Sequence, residues 1–226
     1  MALTIGVAIC AYKGHIPHLQ RLFASIAGQT RLPDQVVVRC SSTKVDEFPY
    51  RPDMFTFPVR FLLCEEYQNA AQNRNVAMRQ LHTDIVSFMD ADDVMHPQRL
   101  EIIYEAFSRY PGCKLLLHDT TDDPSYEHKM YPESEWKFYP NRLYRCIWGS
   151  TQLYPPIPGA ITTNGHASVA REVLVNIRFR ETAEYYGRED TLFSTDVIQA
   201  YPRQTIYCHM ILSHYYPSHT RGYRPI

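Results

Sequence analysis

An α/β domain built on a mostly parallel sheet flanked by helices is what this sequence predicts. Three observations carry that expectation. Strand-like and helix-like apolar patterns alternate through the first half, the connections between them are short, and the first pattern is a continuous apolar run of the kind found in strands covered on both faces. A chain of 226 residues with 45 % apolar content can fill one such core. We therefore expect a single domain over residues 1–226.

The elements follow in order. Residues 3–11 read as the first strand. Ile16, Leu19, Leu22, Phe23 and Ile26 then repeat at helical spacing, with Pro17 suited to a first turn. Pro33 breaks the chain before a second strand at Val36, Val37 and Val38, and Val59–Leu63 is a third. Residues 67–81 carry alanines, Met78 and Leu81 on one side and read as helix. Residues 85–89 form a fourth strand that runs into an acidic cluster. Residues 97–110 are helical, with Leu100, Ile103, Tyr104 and Phe107 on one face, and 114–118 close the series as a fifth strand.

From 119 to about 158 the pattern gives way to tyrosine, proline and charge, for which we expect only short strands and loops. Beyond it, Ala160-Ile161-Thr162 resumes the alternation, 169–177 is expected as helix, 190–200 as helix and 205–212 as a final strand. Right-handed crossovers between parallel strands put ligands where loops leave the carboxyl ends of strands. That rule singles out residues 11–14, 39–42 and 90–93.

Composition excludes some functions. With 23 basic and 24 acidic residues the net charge is −1, which gives no electrostatic case for nucleic acid or an anionic membrane. No stretch reaches the roughly 18 apolar residues that span a bilayer, and the first residues read as a strand rather than a signal peptide. Six cysteines (Cys10, Cys40, Cys64, Cys113, Cys146 and Cys208) include no CxxC pair, so we expect reduced thiols in a cytoplasmic protein. Seventeen tyrosines, concentrated in the second half, suit a surface that binds something polar with flat faces.

Phe88-Met89-Asp90-Ala91-Asp92-Asp93 is the most informative stretch. Three carboxylates crowd the end of an apolar strand, where like charges repel unless a cation shares the space. A hard divalent ion, Mg²⁺ or Mn²⁺, bridging to phosphate oxygens relieves that repulsion. The plainer reading is an acidic turn capping the helix near Pro97. A second acidic pair, Glu189-Asp190, follows Gly187-Arg188 just ahead of an apolar helix. Asp190 there is either a helix cap or a general base toward a hydroxyl group.

Taken in order, these segments resemble the family 2 glycosyltransferases of GT-A fold. The resemblance is carried by Ile9-Cys10-Ala11-Tyr12, Gln29-Thr30 before Val36-Val37-Val38, residues 69–77, the acidic run at 88–93, Gly187-Arg188-Glu189-Asp190 and a histidine-rich tail. It covers residues 3 to about 107 and resumes from 165 to 198, leaving the tyrosine-rich middle aside.

The resemblance implies a nucleotide-sugar-binding half over 1–118 and an acceptor-side half over 119–226. It implies an inverting, metal-dependent transfer of a sugar from a nucleotide-diphosphate sugar, UDP-sugar favoured, to a hydroxyl of a glycan or other acceptor. Tyr12, beside Ala11, would pack on the nucleobase and Arg74 would contact the nucleotide. Asp90 and Ala91 would lie against the ribose or metal, and Asp92 would hold Mn²⁺ or Mg²⁺ with Asp93 in support. Asp190 would take the proton from the acceptor, with Glu189 orienting that base or the sugar. A late histidine completes the metal shell in several members of the fold; His209, His214 and His219 are candidates here, and His214 is favoured. One departure stands out: the family usually places an acid after the second strand, where this chain has Arg39-Cys40-Ser41-Ser42.

Two other readings compete. Asp90-Ala91-Asp92-Asp93-Val94 also fits a haloacid-dehalogenase-type phosphatase, in which the first carboxylate is a phosphoryl nucleophile. That chemistry places its motif on the first strand, whereas this one follows the fourth. A non-catalytic sugar-binding domain of the same fold would have lost a metal acid or the base, and this chain keeps both Asp92 and Asp190.

Overall fold

The computed structural model describes residues 2–144 and 151–216. Its elements are β1 (Ile5–Tyr12), α1 (Ile16–Ala27), β2 (Gln35–Ser41), β3 (Val59–Leu63), α2 (Ala70–Arg79), β4 (Ile85–Asp90), β5 (Val94–Met95) and α3 (Arg99–Arg109). There follow β6 (Leu115–Thr121), β7 (Phe138–Pro140), β8 (Leu143–Tyr144), β9 (Gln152–Leu153), β10 (Thr162–Ala170), α4 (Glu189–Ala200) and β11 (Thr205–His214).

The main sheet runs β3-β2-β1-β4-β10-β6-β11-β5, with β7 against β11. The first four strands are parallel, as are β6 and β11, while β10 is antiparallel to both neighbours. The expected mixed α/β architecture, mostly parallel with helices on both faces, is present.

Two cores show why these segments form these elements. On one face α1 buries Leu19, Leu22, Phe23 and Ile26, and α3 buries Leu100, Ile103 and Phe107, in one cluster with residues of β1, β2 and β11. On the other, α2 buries Ala71, Ala77 and Met78, and α4 buries Phe193 and Val197, beneath Phe88 and Val169. Each large side chain so removed from water contributes about 2 kcal/mol before entropy is subtracted. Strands buried on both faces need near-continuous apolar runs, and β1 is buried from Ile5 to Ala11.

Boundaries moved where local hydrogen bonding decides them. Helix α2 starts at Ala70 rather than 67 because Asn69 forms a capping box. Its Oδ1 accepts from Gln72 N at 2.9 Å and its own N donates to Gln72 Oε1 at 3.0 Å. The helix expected over 169–177 is corrected: β10 extends to Ala170, and only a short 3-10 segment, Arg171–Val175, follows. Residues 168–170 are claimed by antiparallel pairing with Ser87, Val86 and Ile85, so a tertiary partner overrode an apolar spacing that both periods fit. The acidic turn does not cap α3 through a side chain; β5 and Gln98 lie between them, and Gln98 makes no capping bond. The middle segment supplies the short strands β7, β8 and β9.

Of the cysteines, Cys10, Cys40, Cys64, Cys113 and Cys208 are unpaired, and Cys146 lies outside the described residues. Among the described residues, no helix is long and apolar enough to cross a membrane.

Candidate active site

The carboxyl ends of β1, β2 and β4 reach one edge of the sheet together, with Tyr12 beside Ser41 and Cys10 beside Asp90. A cleft of about 520 Å³ opens there, bordered by Ala11, Tyr12, His15, Ser42, Tyr67 and Asn73. The Tyr12 ring is half-buried and leans on His15 at 4.2 Å between centroids. Asn73 fixes the cleft floor, its Nδ2 donating to Ala11 O at 3.1 Å and to Ser41 Oγ at 3.0 Å. Arg39 turns toward β3, facing Leu62 O and Leu63 O, and donates to Gln68 Oε1 at 3.0 Å.

Arg74 joins the two acidic motifs. It projects from α2, is 5 % exposed, and places Nη2 2.6 Å from Asp90 Oδ1 and Nη1 2.8 Å from Glu189 Oε1. A solvent-facing role for this arginine is excluded by its burial. The segment leading to Glu189 is drawn in by Asn75, which donates to Phe179 O and Glu181 Oε1, both at 2.8 Å. Phe179 then stacks on Phe193 at 4.1 Å and meets Phe88 edge-on at 5.0 Å.

Gly165 is the meeting point. A methyl group built on it would lie 2.8 Å from Asp90 Oδ2, 3.6 Å from Arg74 Nη2 and 3.7 Å from Asp190 Oδ2. Asp90 and Asp190 therefore border one small space. Asp190 Oδ1 accepts from Thr191 N at 2.6 Å, inside the first turn of α4 rather than at its cap, which is Arg188.

The other acids separate by partner. Asp93 is fully buried; its Oδ1 accepts from Tyr216 N at 2.7 Å, and its Oδ2 lies 2.9 Å from His166 Nε2. His166 Nδ1 is 2.7 Å from Ser213 Oγ, and its Nε2 is 3.9 Å from Asp90 Oδ2. Donor atoms of Asp90, Asp93 and His166 all fall within 4.8 Å of one another. Two carboxylates and an imidazole form a donor set suited to Mn²⁺ or Mg²⁺ more than to a soft ion. Asp92 stands apart, its Oδ2 3.8 Å from His15 Nε2 and its backbone oxygen held by the Arg21 guanidinium. Ala91 is fully buried between them. His214 pairs with Val94 and stacks on Tyr216 at 4.4 Å, outside the Asp90–Asp93–His166 group. His219 lies outside the described residues.

Charge states follow from these contacts. Burial alone would push the Asp90 carboxyl up, but Arg74 and then His166 outweigh it and hold it below the ordinary value. Burial dominates at Asp93 and raises its carboxyl, against the pull of His166. Burial also raises Asp190, opposed by Arg74 and reinforced by Glu189. An acid held ionised beside one held ready to take a proton is the pattern of divided roles.

Behind the site, Arg99 is fully buried. Regular pairing of β4 with β10 stops at Ser87 and Ser168, and Arg99 occupies the next position. It donates to Ser87 Oγ at 2.8 Å, Phe88 O at 3.1 Å and His166 O at 3.0 Å. Burial lowers this group to about 9. The guanidinium thus supplies donors where the strands part, and the parting leaves room for Asp90, Gly165 and His166.

Sequence reasoning missed His166, Gly165, His15 and Arg99. Only Gly165 carried a signal, since a glycine inside a strand marks close approach of another group.

A family model described as glycosyl transferase family 2 matches residues 6–174. A protein of Haemophilus influenzae described as an uncharacterized glycosyltransferase is 28 % identical over 118 residues, which are 51 % of this chain and 38 % of that one. Residues 1–349 of S. aureus TarS, in complex with UDP, superpose with a TM-score of 0.67 at 17 % identity, covering 95 % of this chain and 60 % of that chain. The mannosyltransferase PcManGT of Pyrobaculum calidifontis, in complex with GDP-Man and Mn²⁺, gives 0.62 at 17 % identity, over 99 % and 59 %. This chain spans about four tenths of the curated relative and about 60 % of the two structures. The structural matches establish the GT-A fold.

Proposed function

The chain belongs to glycosyl transferase family 2, and from that premise we propose that it is a metal-dependent, inverting glycosyltransferase using a nucleotide-diphosphate sugar, with UDP the favoured nucleotide. The observation that carries the reading is the convergence of Asp90 and Asp190 on Gly165, which brings the two acidic motifs to one space beside a cleft of nucleotide size. Family membership favours this reading over the phosphatase one, and the retained Asp92 and Asp190 favour catalysis over binding alone.

Tyr12 borders the cleft and offers its ring face to a nucleobase. Arg74 fixes the Asp90 and Glu189 carboxylates relative to each other. Asp90, Asp93 and His166 would hold a divalent ion, with Asp92 at the rim, and His214 is disfavoured by its placement. Such an ion supplies neutralisation of charge on a departing diphosphate. Asp190, raised by burial, takes the proton from an acceptor hydroxyl, and Glu189 is held to orient the sugar. Attack from the side opposite the leaving diphosphate inverts the anomeric centre. The acceptor is a glycan or another hydroxyl-bearing molecule. The unpaired cysteines support a reducing, cytoplasmic setting.

A thermal-shift panel of UDP-, GDP-, dTDP- and CMP-sugars, with and without Mn²⁺, tests the reading. A shift with a nucleotide-diphosphate sugar that depends on Mn²⁺ is expected; no response to any donor overturns it.

A further inference from the structure

A second polar cluster lies on the same sheet edge, two strands from Asp90. Asp119, near the end of β6, is 4 % exposed. Its Oδ1 accepts from Ile161 N at 2.7 Å and from the Tyr207 hydroxyl, and its Oδ2 lies 2.7 Å from His209 Nδ1. A carboxylate oxygen only accepts, so His209 carries a proton on Nδ1 and leaves Nε2 as the ring nitrogen open to a ligand. Among the described residues Nε2 has no hydrogen-bond partner, and the His209 side chain is 24 % exposed.

The backbone is shaped to make this arrangement. Cys208 pairs with His118 and Ile211 with Asp119, so His209 and Met210 are extra residues bulged out of β11. Bulges of this kind re-aim side chains, often next to functional sites. His209 borders a cavity of about 230 Å³ with Asp119, Thr120, Tyr131, Ile161 and Met210. That is below the roughly 300–1,000 Å³ of cofactor-sized pockets. The lining holds no lysine or arginine, which argues against an anion, and combines apolar walls with the polar groups of Asp119, Thr120, Tyr131 and His209. Strands β4, β10 and β6 are adjacent, so Asp119 lies about 10 Å from the Asp90 strand at about 4.8 Å per spacing.

We propose that the Asp119–His209 pair forms a hydroxyl-binding subsite for a neutral pyranose unit, with His209 Nε2 hydrogen-bonding a sugar hydroxyl and Asp119 fixing the imidazole. The subsite takes a unit of the acceptor away from the reacting hydroxyl, an assignment of place that rests on the glycosyltransferase reading of the Asp90 edge. Asp119 and His209 are positioning and binding residues and touch no reacting atom.

The test is NMR on the full chain with isotopically labelled histidine, the His209 ring signals being identified by their loss in His209→Gln. The probes are the methyl glycosides of glucose, galactose and N-acetylglucosamine, then UDP with Mg²⁺ as a separate arm. A saturable shift of the His209 ring with at least one glycoside is expected, weakened about tenfold in Asp119→Asn, as for the loss of one hydrogen bond. If Asp119→Asn does not fold, weakened glycoside binding to His209→Gln, read on the remaining signals, serves in its place. No His209 response to any glycoside, in protein whose His15 ring responds to UDP, overturns the subsite and leaves the functional reading standing. A glycoside response without any UDP response supports the subsite and removes the reading on which its place in the acceptor path rests.

Discussion

Arg74 Nη2 stands 2.6 Å from Asp90 Oδ1, and the same guanidinium holds Glu189 at 2.8 Å, so one buried cation couples acids from the two halves of the chain. Removing it leaves two acids without their shared partner. Arg74→Met should destabilise the protein by about 3 kcal/mol, the lower end for breaking a buried pair because Asp90 is partly exposed. Denaturant melts check this; a loss under 1 kcal/mol would mean that water already screens the network.

Gly165→Ala tests the space that Asp90 and Asp190 share. The added methyl would press on Asp90 Oδ2 at 2.8 Å, and Arg74 prevents the carboxylate from swinging freely. Stability should fall by about 1–3 kcal/mol, the cost of overpacking, while Mn²⁺ affinity falls at least tenfold. Unchanged Mn²⁺ affinity by electron paramagnetic resonance titration would show that Asp90 is not part of the ion's cradle.

Asp190 predicts two opposite pH effects. As a base it must be ionised, and because burial raises it, the acid limb of the turnover profile should lie above the ordinary aspartate value near 3.8. Stability runs the other way: a carboxyl raised in the folded state favours folding below its unfolded value and loses that contribution as pH rises through the folded value. Asp190→Asn should therefore lose turnover by about 10²–10⁴-fold, keep donor binding and melt higher than wild type at neutral pH. Turnover within tenfold of wild type would move the base elsewhere.

Arg99→Lys should keep the charge and lose the fork. A lysine cannot reach Ser87 Oγ, Phe88 O and His166 O together, and one buried acceptor left without a donor costs about 1–3 kcal/mol. The melt should show that loss, with a displaced His166 ring signal by NMR. An unmoved His166 signal would show that Arg99 does not set the gap between β4 and β10.

Why some of this was legible in the sequence and some was not follows from range. The strands β1 to β4 and helices α1 to α3 are written as local apolar periods, and Val59–Leu63 emerges with its expected limits. Asp90 and Asp190 were visible because acids at strand and helix ends are locally conspicuous. His166 and Arg99 were not, because their meaning comes from β10 crossing back between β4 and β6, a non-local pairing that no period encodes. The same pairing took the first two residues of the expected helix at 169–177 into β10 and left only a short 3-10 segment after them. Asp92, prominent in sequence as the metal acid, faces His15 instead of the Asp90–Asp93–His166 group. In a run of adjacent carboxylates, the turn geometry decides which way each one points.

The most direct test is a calorimetric titration of UDP into the protein with and without Mn²⁺, repeated on Asp90→Asn, which alters one of the three grouped ion donors. Binding that requires Mn²⁺ and weakens by more than tenfold in the variant is the predicted result. UDP binding of equal strength with and without the ion, unchanged in Asp90→Asn, would contradict a metal-held diphosphate at this edge of the sheet.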